Sequence, residues 1–492
     1  MDPSAHLLRD MIDSLHLIDV KPNNGVFTWN NRRCGAEAIS ERLDRFLVSC
    51  YWMNNRLMTS SEILDWRGSD HWPIKLSVTA YGITKNTSFK FQLMWLRDQS
   101  LHDLMVNWWY EGRPAHGTTM YTFCKRLQHV KYRLKKWNKQ CFGNLQVQRM
   151  VAQSKLDNIT RLIRDQGRTT DLSEAESLAL KGLEEWELRE EIFWKQKSRV
   201  DWLQEGDRNT AFFHNSVKAR RQGNSLSSLI SPEGDHLSSN IDISKAAINY
   251  FSDLFSKEDI DAREEVRVIL DCIPHLVSKE MNEALLRPIM LPELEKVVFN
   301  MKKGKAPGPD GFPIEFFQEF WEIVKFDLLE VVQEFHRNKQ MLRSMNSTFL
   351  VLIPKQEGAN WLTQFRPIAL CNVVYKIITK LIAERLKPLL SSLISPEQGG
   401  FVEGRQILDG VVIAMEAIHS MANSKERAMF MKLDMAKAYD RVSWEFLQNI
   451  LLAFGFAEEW VNWVLSCVTS PSYSVLVNGE PFDFFSASRG LR

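Results

Sequence analysis

KLDMAKAYDRV, residues 432–442, is the stretch on which the reading of this chain turns. The alternation from Met429 to Asp434 predicts a strand with Phe430, Lys432 and Asp434 on one side. A carboxylate leaving an apolar strand, followed by small residues, lets a hard cation sit against backbone and side-chain oxygen. Taken alone, an aspartate also ends strands by ordinary turn chemistry. Just downstream, Ser443 is placed to cap a helix carrying Trp444, Leu447, Leu451 and Phe454, which stops at Gly455. Beyond it lies SRGLR (488–492). Upstream stand KGKAPGPDGFP (303–313), FLVLIPK (349–355), FRPIALCNVVYKIITKLIAERL (365–386) and QGGFVEGRQILD (398–409). FLVLIP reads as a buried strand, and VVYKIITKLIAERL places Tyr375, Ile378, Ile382 and Leu386 on one helical face. From about 286 to 492 the pattern is therefore mixed α and β.

The remainder has other textures. Residues 1 to about 85 are β-like: FTWNN (27–31), RLDRFLVS (42–49), and HWPIKLSVT (71–79), whose alternation sets Trp72, Ile74, Leu76 and Val78 on one face. Residues 86 to about 123 show little periodicity and read as a connection. From about 124 to 285 the pattern is helical, with breaks at Gly143, Gly167, Gly206 and the turn Ser231-Pro232-Glu233-Gly234. Within it, Lys125 to Arg149 holds eight Lys or Arg and no acid, with Tyr132, Trp137 and Phe142 interleaved. A solvated helix face explains such a run; so does a surface that meets nucleic-acid phosphates through Lys131, Arg133, Lys135, Lys136 and Lys139. At most one of Tyr132 and Trp137 is expected to stack on a base.

Composition sets the limits. At 492 residues, with 44% hydrophobic and 25% charged residues, the chain has ample material for a core, and disorder throughout is excluded. The net charge of +1 excludes a polycation. The apolar runs, such as 348–353, are far short of the roughly 18 residues a membrane span needs. No secretory leader is visible. Seven cysteines, none in a CxxC, argue against a disulfide framework or zinc knuckle and fit a reducing compartment.

In this order and at these spacings, the segments from 303 to 492 closely resemble the reverse transcriptase of plant LINE-type (non-LTR) retrotransposons, over about residues 286–492. The resemblance implies fingers followed by a right-hand palm, performing RNA-templated DNA synthesis with magnesium and deoxynucleoside triphosphates on an RNA template, primed from nicked DNA. It makes Asp434 the first palm carboxylate holding the two Mg2+ ions. Tyr439 would stack under the incoming sugar and exclude a 2′-hydroxyl. Lys355 and Arg366 would hold the triphosphate. Gly490 would lie in a loop against nucleotide and template. The family continues past SRGLR with a QGDPLSP stretch, a palm hairpin bearing two adjacent Asp, and a thumb; none of these lies within 1–492. QGGF at 398 also departs from the family's QSAF. The expectation is a truncated fragment that does not polymerise alone. The alternatives are a non-catalytic nucleic-acid-binding derivative or a pseudogene product.

RLDRFLVS and GSDHWPIKL (68–76) resemble the last strands of the apurinic-type endonuclease/exonuclease/phosphatase fold. That resemblance places Asp70 as metal or base group, His71 on the scissile phosphate, and Asp44 as the residue that orients His71. LKKWNKQCFGNL (134–145) and KSRVDWLQEGDRNTAFFHNSVKARRQGN (197–224) resemble the segment joining endonuclease to polymerase in the same proteins. His214 reads as structural or RNA-facing, and Arg199, Arg220 and Arg221 as phosphate contacts or solvated surface. The expected fold class is α+β: the C-terminal end of an endonuclease sandwich (1–85), a mostly helical basic connector (86–285), then fingers and the first half of a palm (286–492). Partners are RNA and DNA, with no membrane. The family implies nucleus or cytoplasm, and the oligomeric state is left open.

Overall fold

The computed structural model describes residues 8, 11, 12, 15, 17–49, 57–64, 68–80, 88–199, 213, 216, 217, 220, 223–226, 228–256, 263–423 and 429–491. The first of these form three two-stranded antiparallel pairs. Leu17–Val20 (β1) pairs with Phe46–Ser49 (β4), Trp29–Asn30 (β2) with Ser40–Glu41 (β3), and Leu57–Ile63 (β5) with Ile74–Ala80 (β6). Among the described residues the buried apolar cluster there is just Val20 and Val48, with Phe46 and Leu76 against them; the other buried side chains include the hydroxyls of Thr28 and Ser61. The expected apolar face of HWPIKLSVT fades along β6: Ile74 and Leu76 are half-buried, and Val78 is exposed. Paired strands with so little core are marginal by themselves.

Residues 88–123 are not a bare connection. Phe91, Trp95, Leu101, Met105 and Trp109 are buried, the last three on the helix Ser100–Glu111 at one-turn spacing. They pack against Phe312, Phe316 and Phe320, and against Val324 and Leu328 of the helix Trp321–Asn338. Dense aromatic residues at irregular spacing carry no simple period, which is why the pattern conceals a core. The Trp109 indole donates to Asp327 Oδ2 at 2.8 Å, and Asp327 also pairs with Arg126.

The acid-free run is not one helix. The helix Thr119–Trp137 starts where the Thr118 hydroxyl accepts from Tyr121 N, and it ends in a π-helical turn over Asn138–Phe142. A second helix, Leu145–Gln166, starts at Asn144, and Thr170–Ser198 returns antiparallel to it after Gly167. Trp137 is buried, edge-on to Trp95 and near Phe142. It is a core residue and has no face for a base; the exposed aromatic of the run is Tyr132.

A short hairpin, Leu229–Ile230 (β7) with His236–Leu237 (β8), turns at Ser231–Gly234. It precedes the helix Asn240–Leu254. The main sheet has the order β10-β9-β11-β12, formed by Ser347–Pro354 (β9), Phe365–Cys371 (β10), Ser472–Val477 (β11) and Glu480–Ser486 (β12). β9 runs antiparallel to β10 and parallel to β11. Pro367 and Pro481 both fall on edge strands, where a missing N–H costs no ladder bond. Beneath the sheet, Ile243, Ala247 and Phe251 pack with Leu350, Leu352 and Val475. The core therefore runs across residue 286, and chain from the expected connector fills both sides of it. The helix Val373–Leu386 buries Tyr375 and Ile378 as its apolar face requires.

Met429–Asp434 is not a strand. These residues are irregular and exposed, with Leu433 at 83% exposure, and they pair with no strand among the described residues. An alternating pattern specifies a face, but a strand also needs a neighbour for its backbone groups. The preceding helix, Ile407–Asn423, likewise has no buried residue.

Candidate functional site

Tyr439 and Gly490 come together. The turn Ala438–Arg441 follows Lys437, whose φ of 55° is left-handed, and carries Tyr439 at 55% exposure. Residues 489–491 run alongside it: Leu491 N donates to Tyr439 O at 2.8 Å, and Gly490 N to Val442 O at 2.8 Å. The Trp444 indole donates to Gly490 O at 2.8 Å. Ser443 caps Trp444–Ala453, its hydroxyl accepting from Phe446 N. At Gly490, φ is 93°, a conformation that favours glycine, and a Cβ would press on the Asp440 carbonyl oxygen at 3.0 Å. Asp440 is buried beneath this contact.

Asp434 lies upstream of that turn, exposed. Among the described residues, no group of three or more His, Cys, Asp or Glu gathers as a metal site would require. One exposed carboxylate does not fit the expected two-Mg2+ set, so no catalytic step is derived through those ions.

Lys355 and Arg366 sit near each other at the ends of β9 and β10, where Phe365 faces Pro354 and Arg366 faces Ile353. Lys355 Nζ donates to Thr363 O at 2.7 Å, which ties it to the loop between the strands. Arg366 is exposed on the edge strand. Past the far end of β10, KGKAPGPDGFP is anchored: Asp310 N donates to Asn372 Oδ1 at 3.1 Å, and Phe312 N to Asp310 Oδ1 at 3.0 Å. A Cβ on Gly308 would fall 2.4 Å from Asn372 N, so the loop approaches the helix start too closely for any other residue. Burial pushes the Asp310 carboxyl up to about 6, against two backbone N–H groups and the nearby Lys131 and Lys376 charges. The motif was visible in the sequence; the role of its aspartate was not.

Asp44 and His71 also come together, with His71 Nδ1 at 2.9 Å from Asp44 Oδ2. Thr28 organises the pair, its hydroxyl accepting from Leu43 N at 3.1 Å and Asp44 N at 3.0 Å. Burial opposes ionisation of Asp44, yet hydrogen bonds from His71 and Thr28 outweigh it and hold the carboxyl below its ordinary value. Asp70 accepts from the Trp29 indole at 2.8 Å, which keeps it below the usual range. With Nδ1 donating to Asp44, a neutral His71 has Nε2 as its acceptor. The FTWNN segment thus supplies both the Thr28 and Trp29 contacts; its presence beside RLDRF was the signal for them.

The cations of the 125–149 run divide. Arg126 pairs with Asp327, Arg133 with Glu111, and Arg149 with Glu190 at 3.4 Å. Lys131 lies 5.4 Å from the Phe89 ring centroid, and burial, with Lys135 second, holds its ammonium below the usual lysine range. Lys135, Lys136 and Lys139 are exposed and have no ion pair among the described residues. Arg199 ends its helix in a left-handed conformation, and Arg220 donates to Ser198 O. His214 and Arg221 lie outside the described residues. No described helix is long and apolar enough to cross a membrane.

Residues 353–492 match the family described as reverse transcriptase (RNA-dependent DNA polymerase). The whole chain is 28% identical over 505 residues to the uncharacterized 149 kDa protein of transposon TX1 from Xenopus laevis, covering 38% of that protein. Over 187 residues, 38% of this chain, it is 22% identical to the retrovirus-related Pol polyprotein from type-2 retrotransposable element R2DM of Drosophila melanogaster, covering 17% of it. The chain spans less than two fifths of the length of these relatives. It carries a reverse transcriptase domain and is homologous to non-LTR retrotransposon proteins.

Proposed function

We propose that residues 286–492 are the fingers and first palm half of a LINE-type RNA-directed DNA polymerase, and that residues 1–85 are the tail of an endonuclease. The observation that carries this reading is the juxtaposition of Tyr439 with Gly490, inside the stretch that matches the reverse transcriptase family. In this reading Tyr439 meets the sugar of an incoming nucleotide, Gly490 leaves room beside it, and Lys355 and Arg366 face the triphosphate. Asp434 is the family's first palm carboxylate. Residues 1–492 contribute that single carboxylate, so by themselves they bind nucleotide and nucleic acid without extending a primer. The exposed Lys135, Lys136 and Lys139 favour nucleic-acid binding as the activity this span performs alone. Plant origin and residence in nucleus or cytoplasm belong to the same reading.

Primer extension on a primed RNA template with magnesium tests it. The 492-residue chain is expected to give no product. Extension that disappears in Asp434→Asn would show that a second carboxylate, Asp440 being the nearest in sequence, completes the site.

A further inference from the structure

Every residue that the nucleotide reading uses lies between Lys355 and Gly490, yet the loops that carry two of them are held from well upstream. The helix Asn240–Leu254 ends with carbonyls that no further turn can satisfy. Ser488 N and Arg489 N both donate to Phe255 O, at 2.8 and 3.1 Å, and Arg489 Nε donates to Leu254 O at 2.9 Å. A guanidinium there also complements the negative end of the helix. The Phe255 ring is 5.5 Å from Tyr473 on β11 and 6.3 Å from Phe485 on β12, so this helix end is fixed to the sheet as well as to the loop. From that anchor, residues 489–491 run on to hold Tyr439 and Val442.

One turn earlier on the same helix, the Tyr250 hydroxyl accepts from Lys437 Nζ, with that ammonium 4.7 Å from the ring centroid. Lys437 is the residue in left-handed conformation immediately before the turn of Tyr439. A non-glycine residue keeps such a conformation only where its surroundings over-determine it. Here the hold is a charge-assisted hydrogen bond to the Tyr250 hydroxyl.

We infer that Tyr250 is a positioning residue for Tyr439: acting through Lys437, it sets the tyrosine that meets the sugar, and the helix Asn240–Leu254 thereby governs discrimination between deoxy- and ribonucleoside triphosphates. The inference rests on the assignment of Tyr439 made above. A helix that merely packs on the sheet would, when perturbed, weaken both nucleotides equally. A helix that positions Tyr439 changes their ratio.

The test uses the full 492-residue chain and Tyr250→Phe, which keeps the ring and removes the hydroxyl. Binding of dATP and ATP, each labelled on the γ-phosphate, is read by fluorescence anisotropy. The deoxy-over-ribo preference is expected to narrow about three- to tenfold, a part of what one charge-assisted hydrogen bond supplies. Where the unaltered chain prefers dATP, an unchanged ratio, or an equal loss for both nucleotides, overturns the inference. Amide hydrogen exchange over 438–442 and 490–491 is measured in parallel and is expected to quicken in Tyr250→Phe. Unchanged exchange overturns the inference whatever the nucleotides do. Faster exchange with no sugar preference in the unaltered chain counts against the assignment of Tyr439 and leaves the hold by Tyr250 in place.

Discussion

Replacing Lys135, Lys136 and Lys139 together by Gln separates phosphate-facing cations from structural ones. These three are exposed without an ion pair among the described residues, whereas Arg126, Arg133 and Arg149 are paired with acids. If each exposed lysine neutralises one phosphate and releases roughly 0.7 to 0.9 counterion, they contribute about −2 to −3 to the slope of log K against log salt. A fourfold rise in salt then weakens their share of binding by about 20- to 40-fold. The assay is anisotropy of a labelled single-stranded RNA titrated at several salt concentrations, for the unaltered chain and the triple variant. The variant slope is expected to be shallower by about 2 to 3, with little dependence on RNA sequence. Adding Lys131→Gln and Arg133→Gln is expected to leave the slope where the triple put it, because Lys131 is partly buried and Arg133 is held by Glu111. Equal slopes for the unaltered chain and the triple variant would refute the phosphate role. A further drop of a full unit in the quintuple variant would refute the division between the exposed lysines and the partly buried or acid-paired cations.

Other expectations follow from the core and from the titrating groups. Trp109→Ala removes a fully buried ring and the indole partner of Asp327, and should cost about 3–5 kcal/mol in chemical denaturation; a loss below about 1 kcal/mol would contradict the packing described. Asp310 releases its proton near 6 when folded, against an ordinary 3.8. The folded chain thus holds the extra proton between these values, and stability falls as pH rises from about 4 to about 6. Asp310→Asn should flatten that part of the stability–pH curve, and identical curves would show that Asp310 is solvated. Plasmid nicking is expected to be absent, because among the described residues no group of three or more His, Cys, Asp or Glu gathers to hold a metal at Asp44, Asp70 and His71. Nicking abolished by His71→Ala would reverse that.

What the sequence made legible depended on whether one element's period was enough. FLVLIP and the Val373–Leu386 helix are buried by their own patterns, and Ser443 and Gly455 bound their helix by local chemistry, so these could be read directly. The burial of Phe91, Trp95 and Trp109 is not legible locally, because it depends on aromatic residues near 312–320, about two hundred positions away. Met429–Asp434 departs from its pattern for the opposite reason: its alternation is real, but strand formation is a property of a pair. Motif order singles out Tyr439 and Gly490, which the fold brings together; their role is the proposal made above. The hold by Tyr250 left no trace, since nothing in YFSDLF distinguishes a tyrosine facing Lys437 from one packed on the sheet. Charge counting likewise could not divide the 125–149 cations, because Glu111, Glu190 and Asp327 come from other helices.

The exposure of the segment around Asp434 makes it a chemical reporter. Met415, Met429, Met431 and Met435 are each between 64% and 79% exposed, while Met105, Met120 and Met345 are at 3% or less. Thioether oxidation follows access, so mild peroxide should convert the first group to sulfoxides well before the second. A ligand, a strand or a second protein that settles over Asp434 would shield those sulfurs, and peptide mass spectrometry would register it as a missing 16-Da increment without any label placed on the chain. Storage under air would conversely make this face progressively more polar, beginning at the residues that flank the carboxylate.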